Sequence, residues 1–183
     1  LISNKVKNIS SVLYTHEHAD QTHGINDLRT FYIKNRKKIN IYANKKTLNY
    51  LKSNFSYCFK NKFGYPAILK PNIIKKNFFL GEGKEKIKFN SFDVSHGKIS
   101  SVAYFFSRTA YISDCNKISE LNLKKLMKLK LLIIDCLKYQ SHFSHFGYYD
   151  VLNLLKLIKP KKTILTNLHS DIDYDYILKK CPQ

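Results

Sequence analysis

The 183 residues carry 32 Lys and Arg against 13 Asp and Glu, a net charge of +19, with 44% hydrophobic residues. That apolar fraction excludes a disordered chain, and the length suits a single domain over residues 1–183 with a sizeable core. No apolar run reaches the roughly 18 residues of a membrane span, so no membrane partner is expected.

The lysines are spread along the whole chain among Asn, Ile, Tyr and Phe, so the charge reads as a bias of composition. A nucleic-acid partner would use it, but no RNA-binding aromatic signature, helix-turn-helix pattern or basic tail supports one, and it is not favoured. Cys58, Cys115, Cys136 and Cys181 form no C-x-x-C pair. They read as reduced thiols in a reducing, cytoplasmic setting. The opening "LISNKVKNIS" lacks the charged-then-apolar layout of a secretion signal.

In chain order, "SVLY" (11–14) is a short apolar run that stops at "THEHADQTHG", as a strand delivering a loop would. Residues 25–35 have a helical pattern with Asn26 and Asp27 near its start. "INIYA" (39–43) alternates as a strand. In 45–59 the apolar Leu48, Leu51, Phe55 and Phe59 have helical spacing. "GYPAIL" (64–69) reads as a turn or loop. Residues 86–97 form a strand ending at His96 and Gly97. Residues 101–114 form two strands around a tight turn near 107–109. Helices are expected over 118–129, over 148–159 (closed by Pro160) and over 171–180. "LLIIDCL" (131–137) and "KTILTN" (162–167) are strands, the first buried on both faces. Alternating strands and helices imply an α/β fold with helices layered outside sheets.

Four of these strands end at a group able to bind a metal: "SVLYTHEHAD", "FDVSHG", "AYISD" and "ILTNLH". The candidates are His16, His18, Asp20, His96, Asp114 and His169. Imidazole with carboxylate suits zinc, manganese or iron, and a strand end holds such a side chain in a fixed place. On an extended segment His16 and His18 point to the same side, and Asp20 continues that side. Gly24 would permit a tight exit from the loop. Asp135, a carboxylate in an apolar run, would either orient a ligand histidine or pair locally. Asp171 and Asp173 read as acids at a helix start.

The constellation resembles the metallo-β-lactamase superfamily, whose main motif T-H-x-H-x-D-H is matched by Thr15, His16, His18 and Asp20. His96 in "VSHG", Asp114 in "YISD" and His169 in "TNLH" match its later motifs in order. The strings "THEHADQTHGINDLR", "HFSHFG" and "KPKKTILTNLHSDIDY" look like the branch containing the phosphoribosyl cyclic phosphate phosphodiesterase. That branch is akin to the tRNA 3′-end processing endonucleases. The resemblance implies an αββα sandwich and a two-metal site holding Zn or Mn. His16, His18 and His96 would take the first ion, Asp20 and His169 the second, and Asp114 would bridge. His145 matches a family histidine near the substrate and would be the general acid; Asp20 and His145 are thus the catalytic candidates. His142 is a weaker one.

Two departures stand out. Gln21 occupies the place of the motif's last histidine, so the second ion is expected to bind more loosely; His23, two residues on, is a possible substitute. His16 also arrives early for the family, so an N-terminally incomplete domain lacking its first strands is expected. The implied function is metal-dependent hydrolysis of phosphodiester bonds in a small cyclic or sugar phosphate diester. The alternatives are a ribonuclease of the tRNA 3′-end type, or a metal-poor binding module without chemistry.

Overall fold

A computed structural model describes residues 5–62, 64–81 and 83–181. Residues 1–4, at the start where missing strands are expected, lie outside it. The chain divides after Ile87 into two compact units.

In the first unit, β1 (Ser11–Leu13), β2 (Ile39–Ala43) and β3 (Leu69–Ile73) form a parallel sheet in that order. Parallel neighbours need a crossover between them. From β1 to β2 it consists of α1 (Ala19–Thr22), a 3-10 turn over His23–Asp27, and α2 (Leu28–Asn35). From β2 to β3 it contains α3 (Lys45–Asn54). Ile39, Ile41 and Ala43 turn inward from alternate positions of β2 and meet Leu48 and Leu51 of α3 together with Ile25 and Leu28. The Asn44 side chain starts α3 by accepting from the Thr47 N–H at 2.8 Å, which satisfies one of the helix's unpaired donors.

The helix expected over 25–35 becomes regular only at Leu28, and that over 45–59 ends at Asn54 before a 3-10 turn at Ser56–Cys58. Two strands were not anticipated: β3, which takes its first residue from the expected loop 64–69, and β4 (Asn77–Leu80). Pro71 hid β3. Proline cannot donate to a ladder, yet it is tolerated here because β3 lies at the outside of the three-stranded order.

In the second unit, β5 (Ile87–His96), β6 (Ile99–Phe106), β7 (Thr109–Ile112), β8 (Leu131–Asp135) and β9 (Thr163–Thr166) lie side by side in chain order. The first three are antiparallel, and β7, β8 and β9 are parallel. The turn between β6 and β7 falls where expected. Ser107 and Arg108 both have positive φ, 46° and 62°, the twist that a two-residue hairpin loop requires. Ala110, Ile112, Leu132 and Ile134 pack with Leu126, Leu129, Val151 and Ile158 in one core. Burying each of the larger side chains contributes about 1.5–3 kcal/mol.

The crossovers are α4 (Glu120–Lys125), shorter than its expected 118–129, and α5 (Tyr148–Ile158). Lys159 closes α5 in the left-handed conformation just before Pro160. The final helix, α6 (Tyr174–Lys180), starts at Asp173, whose side chain accepts from the Tyr176 N–H. Because β7, β8 and β9 run the same way, the residues following them, Asp114 and Asn167, and the last residue of β8, Asp135, arrive at one edge of the sheet. This is the edge where α/β folds place their chemistry. Among the described residues no helix is long and apolar enough to cross a membrane.

Candidate functional site

The second unit assembles a group from separate strands. His96 ends β5 and is 4% exposed. Gly97, at φ +57°, then turns the chain into β6. His96 Nδ1 lies 2.8 Å from the Ser144 backbone oxygen. A carbonyl can only accept, so Nδ1 carries the proton and Nε2 has the lone pair.

Asp114 follows β7, buried, at φ +51°. Aspartate is among the few side chains that visit this region readily. The Ser113 hydroxyl donates to Asp114 Oδ2. His145 lies between β8 and α5, its Nδ1 2.8 Å from Asp135 Oδ2 and 3.8 Å from Asp114 Oδ1. Its ring meets that of His96 edge-on, centroids 4.7 Å apart. One ligand atom from each of His96, Asp114 and His145 lies within 4.8 Å of the others. A lone-pair imidazole nitrogen beside a buried carboxylate fits the donor preferences of zinc and manganese.

Asp135 is fully buried at the end of β8. It accepts from the Cys115 N–H at 2.9 Å and from Asn167 Nδ2 at 3.2 Å, besides engaging His145. Among the described residues it engages none of the histidines expected as ligands; its histidine partner is His145, the candidate general acid, and the Cys115 N–H is a local partner. Burial, with the Asp135 carboxylate adding to it, pushes the Cys115 and Cys136 thiols up to about 12. Such buried thiols hold their protons at neutral pH. His142 Nδ1 faces the Ser144 N–H and hydroxyl at 3.4 and 3.1 Å.

His169 stands on the loop after β9, its N–H donating to the Leu137 oxygen at 2.9 Å. Its ring Nδ1 lies 3.2 Å from Asp171 Oδ2 and 3.3 Å from the Asp171 N–H, so in this structure it faces Asp171. Asp171 also pairs with Lys138 at 3.1 Å, and that bond holds its carboxyl below the ordinary range. Asp173 is the helix-start acid that was expected. Asp171 is not one, because it stands before the helix and bridges Lys138 to His169.

In the first unit the chemistry comes from one stretch. Thr15 Oγ1 lies 3.1 Å from His16 Nδ1, and His16 is fully buried. His18 is exposed with extended backbone, and its ring meets that of His16 edge-on at 4.6 Å. The pairing of residues two apart therefore holds for these two rings. It does not extend to Asp20. The chain turns helical at Ala19, with Thr22 Oγ1 donating to the His18 oxygen at 2.8 Å, and Asp20 sits exposed in the first turn of α1.

Gln21 Nε2 lies 3.4 Å from Asp20 Oδ2. His23 packs edge-on against Phe55 at 5.5 Å. Gly24 lies within the 3-10 turn, is not among the positive-φ glycines, and has open space where a Cβ would go. The tight exit expected to require glycine is therefore not used.

Sequence reasoning missed Glu17, which pairs with Lys46 and is 3.5 Å from Thr47 Oγ1, tying the histidine stretch to the start of α3. Burial pushes the Glu17 carboxyl up, but the Lys46 contact outweighs it and the net shift is downward. Its only sequence signal was a carboxylate wedged between two histidines.

A family model for the beta-lactamase superfamily domain matches residues 2–167. The chain belongs to that family, with the mixed α/β metallo-β-lactamase hydrolase fold. It is similar to a crystallised diphosphatase of the PhnP family, with 25% identity and a TM-score of 0.86 over 99% of this chain and 68% of that one. The metallo-β-lactamase fold protein YhfI from Bacillus subtilis (16% identity, TM-score 0.73, 93% of this chain, 69% of that one) shares the fold. So does the short form of human tRNase Z (15%, TM-score 0.64, 88% and 73%). A curated octanoyltransferase of Porphyromonas gingivalis is 26% identical over 144 residues, 74% of this chain and 27% of that protein. The chain thus spans about a quarter of the length of that curated relative.

Proposed function

We propose that the chain serves a metal-dependent hydrolase of phosphodiester bonds, acting on a small cyclic or sugar phosphate diester. The observation that carries this reading is the Asp135–His145 pair set beside His96 and Asp114. A proton-holding imidazole next to metal-type donors suits hydrolysis of an ester with a poor leaving group. The likeness to a diphosphatase supports phosphorus as the reacting centre.

His96 Nε2 and Asp114 are the donors in the second unit. The order of the motifs along the chain assigns metal-ligating roles to His16, His18, Asp20 and His169 as well, with two Zn or Mn ions as the full complement. A divalent ion held by these residues would supply charge stabilisation at the phosphoryl oxygens and would acidify the attacking water. Asp135 accepts the Nδ1 proton of His145, so Nε2 is the nitrogen that serves the substrate. His145, protonated there, gives that proton to the departing oxygen as its bond to phosphorus breaks and a water oxygen takes its place. Ser113 and the left-handed backbone hold Asp114 in position. The free thiols of Cys58, Cys115 and Cys136 support a reducing, cytoplasmic location.

The test is chelator treatment followed by Zn or Mn, reading hydrolysis of bis(nitrophenyl) phosphate. Activity restored by metal in wild type and absent from His96→Ala is expected; metal-independent turnover would refute the reading. A second reading, a ribonuclease, would make use of the +19 charge. RNA binding would weaken steeply with salt, whereas turnover of a small diester would not.

A further inference from the structure

The loop between β8 and α5 is clamped. Lys138 and Gly147 form a bridge across its base. A Cβ on Gly147 would stand 2.4 Å from the Gln140 carbonyl group, so only glycine lets it close. Inside the loop the His142 N–H donates to the His145 oxygen at 3.2 Å, and Ser144 engages the His142 ring through its N–H and hydroxyl. The Ser144 oxygen holds His96. The loop that positions the His96–His145 pair therefore also carries the tip residues His142, Phe143 and Ser144.

At that tip stands Phe143, 73% exposed. Its ring is braced by His142, centroids 4.6 Å apart, and by Gly97, where a Cβ would meet the ring edge at 3.1 Å. An exposed phenyl ring is ordinary on a protein surface. This one differs in its place, between the residue that follows His96 and a loop histidine, two positions from His145. An aromatic side chain has only two torsions to order on binding, and every nucleobase presents a face that can stack on it.

We infer that Phe143 determines specificity by stacking on a nucleobase carried by the leaving alcohol, which makes the substrate a nucleobase-bearing phosphodiester rather than a bare sugar phosphate. This deepens the phosphodiesterase reading and rests on it. The leaving side is the relevant one because His145, on the same loop, delivers its proton there.

The experiment compares the methyl phosphodiester of adenosine at its 5′ oxygen with the same diester of 1-O-methylribose, using metal-loaded wild type, Phe143→Ala and Phe143→Trp. The two leaving alcohols are alike in acidity, so proton donation cancels. Wild type should show a KM about tenfold lower for the adenosine diester. Phe143→Ala should bring the two KM values together, and Phe143→Trp should keep them apart. A wild type without preference, or a preference surviving in Phe143→Ala, overturns the inference. If wild type cleaves neither diester, the phosphodiesterase reading is what fails. Calorimetric binding of adenosine 5′-monophosphate against ribose 5-phosphate then decides the stacking role: a roughly tenfold gap lost in Phe143→Ala supports it, and no gap refutes it.

Discussion

The stretch from Thr15 to Asp20 and the group of His96, Asp114 and His145 reach related chemistry by opposite routes. In the first, one short run of backbone supplies every side chain. His16 is buried, His18 and Asp20 are exposed, and Gln21 and Asp20 lean on each other at 3.4 Å. In the second, each side chain comes from a different strand end or loop, and its polar atoms are held by others: His96 by Ser144, Asp114 by Ser113, His145 by Asp135, and Asp135 in turn by Cys115 and Asn167. A contiguous motif is visible in one line of sequence, with His16 beside Thr15, the His18 oxygen bound by Thr22 and Glu17 paired with Lys46. An assembled group is scattered in sequence, and its partners come from other strands and loops, because buried polar atoms must each find one.

Replacing Asp114 tests the assembled region most severely. Asparagine also tolerates φ near +51°, so Asp114→Asn should fold normally by circular dichroism. It should lose diester hydrolysis by at least about a thousandfold, since the charge stabilisation at stake is several kcal/mol, and bound metal should fall with it. Full metal content and turnover in that variant would remove the assembled region from the reaction.

A smaller loss is expected when the proton donor goes. His145→Ala should slow an alkyl diester by about a hundredfold or more and a nitrophenyl diester very little, because only the alkoxide needs a proton. Equal losses on both would leave His145 a packing residue.

Asp135→Asn should cost about 10–100-fold on the alkyl diester, in the range for groups that support a site. It should also lower thermal stability by about 1.5–3 kcal/mol, since a buried charged acceptor of several hydrogen bonds is lost. A variant as stable and as active as wild type would show that the Asp135 contacts do not support the assembled region.

In the contiguous stretch, Gln21→His should tighten the looser of two ions by about 10–100-fold in metal titration calorimetry, without any required gain in turnover. Two equally tight sites in wild type would show that glutamine is no weak point.

The smallest effect concerns the thiols behind the assembled group. Cys115 and Cys136 titrate at about 12 when folded, above the value of an exposed thiol. Between about pH 9 and 12 the unfolded chain therefore binds fewer protons than the folded one, and stability falls as pH rises. It is fully present below pH 9. Cys115→Ala should flatten that fall in denaturant melts across this window; an unchanged slope would contradict the shift.

Sequence by itself determined the strands that deliver His96 and Asp114, the hairpin turn at Ser107 and Arg108, the start and stop of α5, and the order of the histidine and aspartate motifs. These depend on periodicity, turn chemistry and caps, which act over a few residues. The pairing of His16 with His18 was legible for the same reason, while the helical turn that carries Asp20 away from the extended line was not. Only tertiary structure decided that Asp135 engages His145, that His169 turns to Asp171, that β3 forms through Pro71, and that Gly97 makes room for the Phe143 ring. The β2–β3 pairing and the Gly97–Phe143 approach need segments brought from distant parts of the chain, while the Asp135–His145 and His169–Asp171 contacts depend on how the loops after β8 and β9 turn, which packing decides and a local pattern does not.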